Sequence, residues 1–229
     1  MKKRNFCILI FVIVLILSGC ENLEKEDLEI QKGLSEISFI EKQCNVIFNK
    51  ILSDEYIKDN QLDWDMLKED YLVLYGSINV ITIDLAALKI SSQDIVQFEN
   101  SFNELKIYIE NQDINLFTLK LCDTYSFITD SILNSISKDE TAKQVKKAKS
   151  ELLYIGYDLM ISNKEEALRR IDQFQTLFLE LNKNTEYLEN NSYKINRIFI
   201  DIQRLKSLID KEKYSICKET FFEISELCT

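Results

Sequence analysis

The sequence predicts an all-α fold of about eight helices, arranged as an antiparallel helical bundle or as stacked helical hairpins. Three observations predict it. The 229-residue chain has no proline and only four glycines, so little interrupts a helix. Apolar residues recur at steps of three and four along the chain beyond residue 28. Short polar runs carrying helix-capping residues separate those stretches, whereas hairpins and sandwiches of strands need turn residues at closer intervals.

The first helix covers about residues 25–53, with Ile30, Leu34, Ile37, Cys44, Phe48 and Ile51 on one face. The second starts near Trp64 and reads Trp64, Leu67, Tyr71, Leu74, Ile78, Ile81, Leu85 and Leu88. These steps alternate between three and four, a heptad seam that favours shallow left-handed packing. Asp63 is placed to cap this helix, with Leu62 stapled to Leu67. The third opens with Ser91 and Asp94 as a capping box and carries Ile95, Phe98, Phe102, Leu105 and Ile109.

A turn at Asn111-Gln112-Asp113 leads to the fourth helix, with Ile114, Phe117, Leu121, Tyr125, Ile128, Ile132 and Ile136 on one face. Ser137 and Glu140 form a capping box for the fifth, whose stripe is Val145, Ala148, Leu152, Ile155 and Leu159. Ser162-Asn163 turns into the sixth, with Ile171, Phe174, Phe178 and Leu181. Polar residues 182–192 mark a break before the seventh, which carries Ile195, Ile198, Ile202, Leu205 and Ile209. The eighth holds Cys217, Phe221, Ile224 and Cys228. Leu105, Lys106 and Ile109 match Leu205, Lys206 and Ile209 at an offset of 100. Ile57, Ile109, Ile161 and Ile209 each precede a polar turn, a spacing that suggests four hairpins.

The first residues read differently. Lys2, Lys3 and Arg4 precede an uncharged run from Phe6 to Leu17, too short to span a bilayer but suited to a signal peptide. It ends in Leu17-Ser18-Gly19-Cys20, followed by the acidic stretch from Glu21 to Asp27. This resembles the lipobox of bacterial lipoproteins. The resemblance implies diacylglycerol on the Cys20 thiol, cleavage just before Cys20, and further acylation of the new N-terminus, palmitate included. The expected organisation is a signal peptide over 1–19, a lipidated tether over 20–27 and a single helical domain over 28–229. The expected location is the outer face of the cell membrane. Several acyl chains give firm anchoring, at about 0.8 kcal/mol per buried methylene.

Composition narrows the chemistry. The formal net charge is −10, which argues against nucleic acid as a partner of the body. Histidine is absent, removing the commonest general base and metal ligand. Lys143, Lys146, Lys147 and Lys149 cluster on the fifth helix and read as a solvated face or as partners of acidic neighbours. Cys44, Cys122, Cys217 and Cys228 lie on or beside apolar stripes and read as buried thiols. Asp59, Gln61, Asp63, Asp65 and Asp70 fall in a calcium-loop frame, but Trp64 stands where the frame needs glycine. No metal or cofactor is expected.

The candidate interaction or ligand residues are Trp64, Tyr71, Tyr75 and Asp84. Trp64 and Tyr71 also fit the core seam, and Asp84 sits between Ile83 and Leu85. The stretch from Trp64 to Leu88, with Tyr75, Asp84-Leu85 and the helix over Ile95–Phe102, resembles uncharacterised all-helical lipoproteins of Firmicutes. That resemblance implies no activity. The expected function is non-catalytic: an envelope lipoprotein whose body docks another envelope protein. The alternative is a carrier that holds a small apolar ligand between its helices.

Overall fold

The computed structural model describes residues 28–228, except 29, 89, 134–138, 182 and 184. The signal peptide with its lipobox residues Leu17, Ser18, Gly19 and Cys20, and the whole tether over 20–27, lie outside the described residues. The fold is all-α. Helix α1 covers residues 30–52, followed by a two-residue hairpin, β1 (Ile57–Lys58) and β2 (Gln61–Leu62). Then come α2 (Trp64–Ala87), α3 (Ser92–Glu110) and α4 (Ile114–Phe127). After α4 the chain widens into a π-helical turn over Ile128–Leu133. The remaining helices are α5 (Glu140–Met160), α6 (Lys164–Leu181), α7 (Thr185–Asp210) and α8 (Tyr214–Leu227). None of the described helices is long and apolar enough to cross a membrane.

Local chemistry starts these helices where capping residues sit. Asp63 accepts from the Met66 amide at 3.0 Å, and Asp113 from Leu116 at 3.0 Å. Ser91 accepts from Asp94 at 3.1 Å, as the capping box requires. The cap of α5 differs from expectation. Asp139, adjacent to the helix, accepts from Thr141 and Ala142, both at 3.0 Å, whereas Ser137 lies outside the described residues. A second departure lies before α7. The polar stretch expected to break the chain is helical from Thr185 onward, because Glu186, Leu188 and Glu189 are good helix formers and no glycine or proline interrupts them.

The hairpin turns reveal a repeat of 50 residues. Gln112, Ser162 and Glu212 each adopt a left-handed backbone, with φ of 54°, 57° and 55°. At each, the next amide reaches back to the carbonyl five residues earlier: Asp113 to Tyr108, Asn163 to Asp158 and Lys213 to Leu208, at 2.8–3.0 Å. This is a Schellman closure built without glycine. The core follows the same step. Phe48, Phe98, Ala148 and Ile198 are buried, as are Leu52, Phe102, Leu152 and Ile202. On the returning helices Leu67, Phe117, Ala167 and Cys217 are buried, as are Tyr71, Leu121, Ile171 and Phe221. The isoleucines noted in sequence mark the repeat only loosely, since Leu159 and not Ile161 is the equivalent of Ile109 and Ile209.

The first hairpin keeps this register by a different route. Its helix stops at residue 52, and Asp59 and Asn60, both at positive φ, turn the chain between β1 and β2. Tyr56 is buried beneath and donates to Asp70 Oδ2 at 2.6 Å. Lys50 meets the same oxygen at 2.7 Å.

Sequence neighbours pack on one another from α2 to α8, and α5 also packs against α8. Helix α1 buries one broad face, with Ile37, Ile40, Cys44, Ile47, Phe48 and Leu52 all hidden. It lies against both α5 and α8. Gly156 of α5 makes that approach possible, since a Cβ there would sit 2.7 Å from the Phe48 ring and 2.9 Å from the Phe221 ring.

Candidate functional site

Where α1, α4, α5 and α8 come together, they leave a cleft of about 390 Å³. Its floor is apolar, formed by Val46, Leu152, Leu153 and Phe221. Its walls are polar. Glu41, Asn45 and Asn49 come from α1, Tyr125 from α4, Lys146 and Lys149 from α5, and Ser225 from α8. Helix period explains the α1 set, because residues 41, 45 and 49 are one turn apart on one face.

The charges are unevenly matched. Glu41 is the one carboxylate on the cleft wall among the described residues, and it is 7% exposed. Lys146 Nζ holds its Oε2 at 2.6 Å. Its Oε1 is buried and has no hydrogen-bond partner among the described residues. Burial pushes the Glu41 carboxyl up, and Lys146 opposes that shift. Lys149 lines the same wall and forms no ion pair with a described residue. Burial holds its ammonium below the usual lysine range. Cys228 closes the end of the cleft, its thiol pushed up to about 12 by burial despite nearby Lys149 and Lys194.

The lysine cluster of α5 therefore divides. Lys143 pairs with Glu140 on its own helix at 2.6 Å, and Lys147 is exposed, as a solvated face requires. Lys146 and Lys149 line the cleft. Their spacing from Ala148 and Leu152 was the available signal, since both flank the buried stripe.

The residues singled out in sequence lie elsewhere, along α2. Trp64 packs half-buried against the core at its start. Tyr71 is buried and donates to the Phe102 carbonyl at 2.9 Å, which ties α2 to α3. Tyr75 packs against Tyr71 with ring centroids 5.7 Å apart and the rings tilted by 39°. Asp84 meets Lys32 of α1 at 2.9 Å, which holds its carboxyl below the usual range. None of the four lines the cleft. In the calcium-loop frame, Asp63 serves as a helix cap, and Asp70 is occupied by Lys50 and Tyr56. No group of three Cys, Asp or Glu side chains suited to a metal ion occurs among the described residues. Cys44, Cys122, Cys217 and Cys228 are buried free thiols, all pushed above the usual range by burial.

A second charged cluster lies at the α5–α6 turn. Asp158, 3% exposed, faces Arg170 with Nε and Oδ2 3.1 Å apart, although the pair is not aligned as a hydrogen bond. Arg170 also meets Glu151 and Glu166, each at 3.4 Å. Its guanidinium lies 4.2 Å from the centre of the Tyr154 ring, and Tyr154 donates to Asp123 at 2.6 Å. Burial raises the Asp158 carboxyl to about 6, against the pull of Arg170.

No protein-family model, curated protein or solved structure matches the chain.

Proposed function

We propose that the protein is an extracytoplasmic lipoprotein, held to the outer face of the cell membrane by lipid on Cys20, with a helical body that works by binding and not by catalysis. The cleft between α1, α4, α5 and α8 carries the reading of the body. It joins an apolar floor to convergent polar groups, the usual make-up of a small-molecule site, and its volume lies in the usual range. The mixed lining departs from a purely apolar carrier. The anchor rests on the Leu17-Ser18-Gly19-Cys20 motif behind its charged and apolar leader.

Two variants test the two halves. Cys20→Ser is expected to abolish incorporation of an alkyne-labelled fatty acid; undiminished labelling would refute the anchor. Leu153→Trp fills the floor of the cleft and is expected to abolish small-molecule binding. Binding that survives it would place the site elsewhere.

Docking of another envelope protein is a second reading, favoured by one feature. Leu72 and Val73 of α2 and Ile107 of α3 are each at least half exposed on adjoining helices. Leu72→Glu is expected to remove a photo-crosslink from position 73 to such a partner, and an unchanged crosslink would end this reading.

A further inference from the structure

Resting on the cleft as the binding site, we infer that its ligand is a small anionic amphiphile, with the anionic head held by Lys149 and Lys42 and the apolar body laid on Leu152, Leu153 and Phe221. The argument begins with charge. The chain as a whole is acidic, at −10, yet among the described residues the lining of this one cleft holds three lysines against a single carboxylate side chain. That carboxylate, Glu41, is already joined to Lys146. Lys149 and Lys42 therefore remain for an incoming anion, and neither forms an ion pair with a described residue.

Burial sharpens the demand. An ammonium partly withdrawn from water, with only Glu41, already joined to Lys146, to offset it, is costly, and Lys149 registers that cost in its lowered pKa. An anion beside it would return the favourable pairing, and the partial burial of Lys149 would strengthen that contact over one on the open surface. The floor sets the other half of the ligand. Leu152 and Leu153 are nearly buried, and Phe221 is held by Phe48 with ring centroids 6.2 Å apart. A rigid apolar floor beneath a cationic wall selects a molecule with one charged end. The side-chain amides of Asn45 and Asn49 and the Tyr125 hydroxyl add hydrogen-bonding groups around the head.

Equilibrium dialysis tests this with the full-length lipoprotein in lipid nanodiscs, against empty nanodiscs. The probe is 3-phenylpropionate, compared with its neutral amide, with 3-phenylpropylamine, and with 2-phenylethylphosphonate as a second anionic head. The carboxylate is expected to saturate at one per chain. The amide and the amine are expected to bind about tenfold or more weakly, the loss of one charge-assisted contact. Added salt is expected to weaken the carboxylate but not the amide. Lys149→Gln is expected to weaken it about tenfold, and Lys42→Gln, a rim variant that disturbs no packing, severalfold. Lys211→Gln, remote and exposed, serves as the unchanged control. Phosphonate binding alongside the carboxylate supports an anionic head of either kind. If amide or amine binds as tightly as the carboxylate and Leu153→Trp blocks both, the anionic head is refuted while the cleft remains the site. If none of the probes saturates, the cleft reading falls with it.

Discussion

Glu41 and Asp158 are both buried carboxylates facing a cation across two helices, yet their surroundings differ. Asp158 sits in a closed cluster, where Arg170 is shared among Asp158, Glu151 and Glu166 and covered by the Tyr154 ring. Arg169 joins Arg170 there by pairing with Glu166, so each described acid of the cluster faces a base. Glu41 has its own lysine, an idle oxygen, further lysines nearby and an open cleft. The first arrangement spends its charges on holding the α5–α6 turn. The second leaves charge over, facing space. Surplus charge beside a cavity, and not burial of charge alone, is what separates a candidate site from a structural brace.

The contrast makes quantitative demands. Arg170→Met removes the main counter-charge of a closed site and is expected to lower stability by about 3 kcal/mol in urea denaturation. Lys146→Met is expected to cost only about 1 kcal/mol, because Glu41 faces an open cleft and Lys149 still offsets its charge. Equal losses would erase the distinction. Gly156→Ala forces a methyl against Phe48 and Phe221, on the seam that builds the cleft, and should cost about 2 kcal/mol. The partial cost at that seam is expected to weaken 3-phenylpropionate binding as well; a variant that unfolds earlier but binds normally would show that the cleft does not depend on this packing.

Acid sharpens the comparison further. The folded carboxyl of Asp158 titrates near 6, above its unfolded value, so between about pH 4 and 6 the folded state binds more protons than the unfolded chain. Its contribution to stability therefore falls as pH rises through that window. Lowering pH from 7 to 5 is expected to raise the urea midpoint of the parent protein relative to Asp158→Asn; parallel curves would remove Asp158 from the account. The smallest effect belongs to Glu41→Gln. It loses the pair with Lys146 but also a buried charge with one unpartnered oxygen, and the unfolding free energy is expected to move within about 0.5 kcal/mol.

Much of the fold was legible because the relevant interactions are short-range. The α2 seam from Leu67 to Leu85 is buried throughout at its core positions, Asp63 and Ser91 cap where expected, and Asp113, expected only as part of a turn, caps α4. Asp139 was missed because Ser137 and Glu140 fit the same capping pattern two residues earlier. The 57–62 hairpin was missed because six residues are too few to show a period, although Asp59-Asn60 tolerates positive φ. The extra buried positions of α1, Ile40 and Ile47, were also unexpected. They flank the stripe that sequence had marked and widen it on one side, and a sequence does not say how many neighbours a helix has.

The amino-acid order alone determined where helices run, which residues cap them and which stripe each one hides, since all three depend on side chains within four positions of one another. Tertiary structure alone decided that Glu41, Tyr125, Lys149 and Cys228 share a wall, and that Asp158 does not. Those residues lie tens of positions apart, and their meeting depends on a close approach of α1 to α5 and α8 around Gly156. A periodic stripe specifies that a face is covered; only the packed helices specify by what, and where the cover leaves a gap.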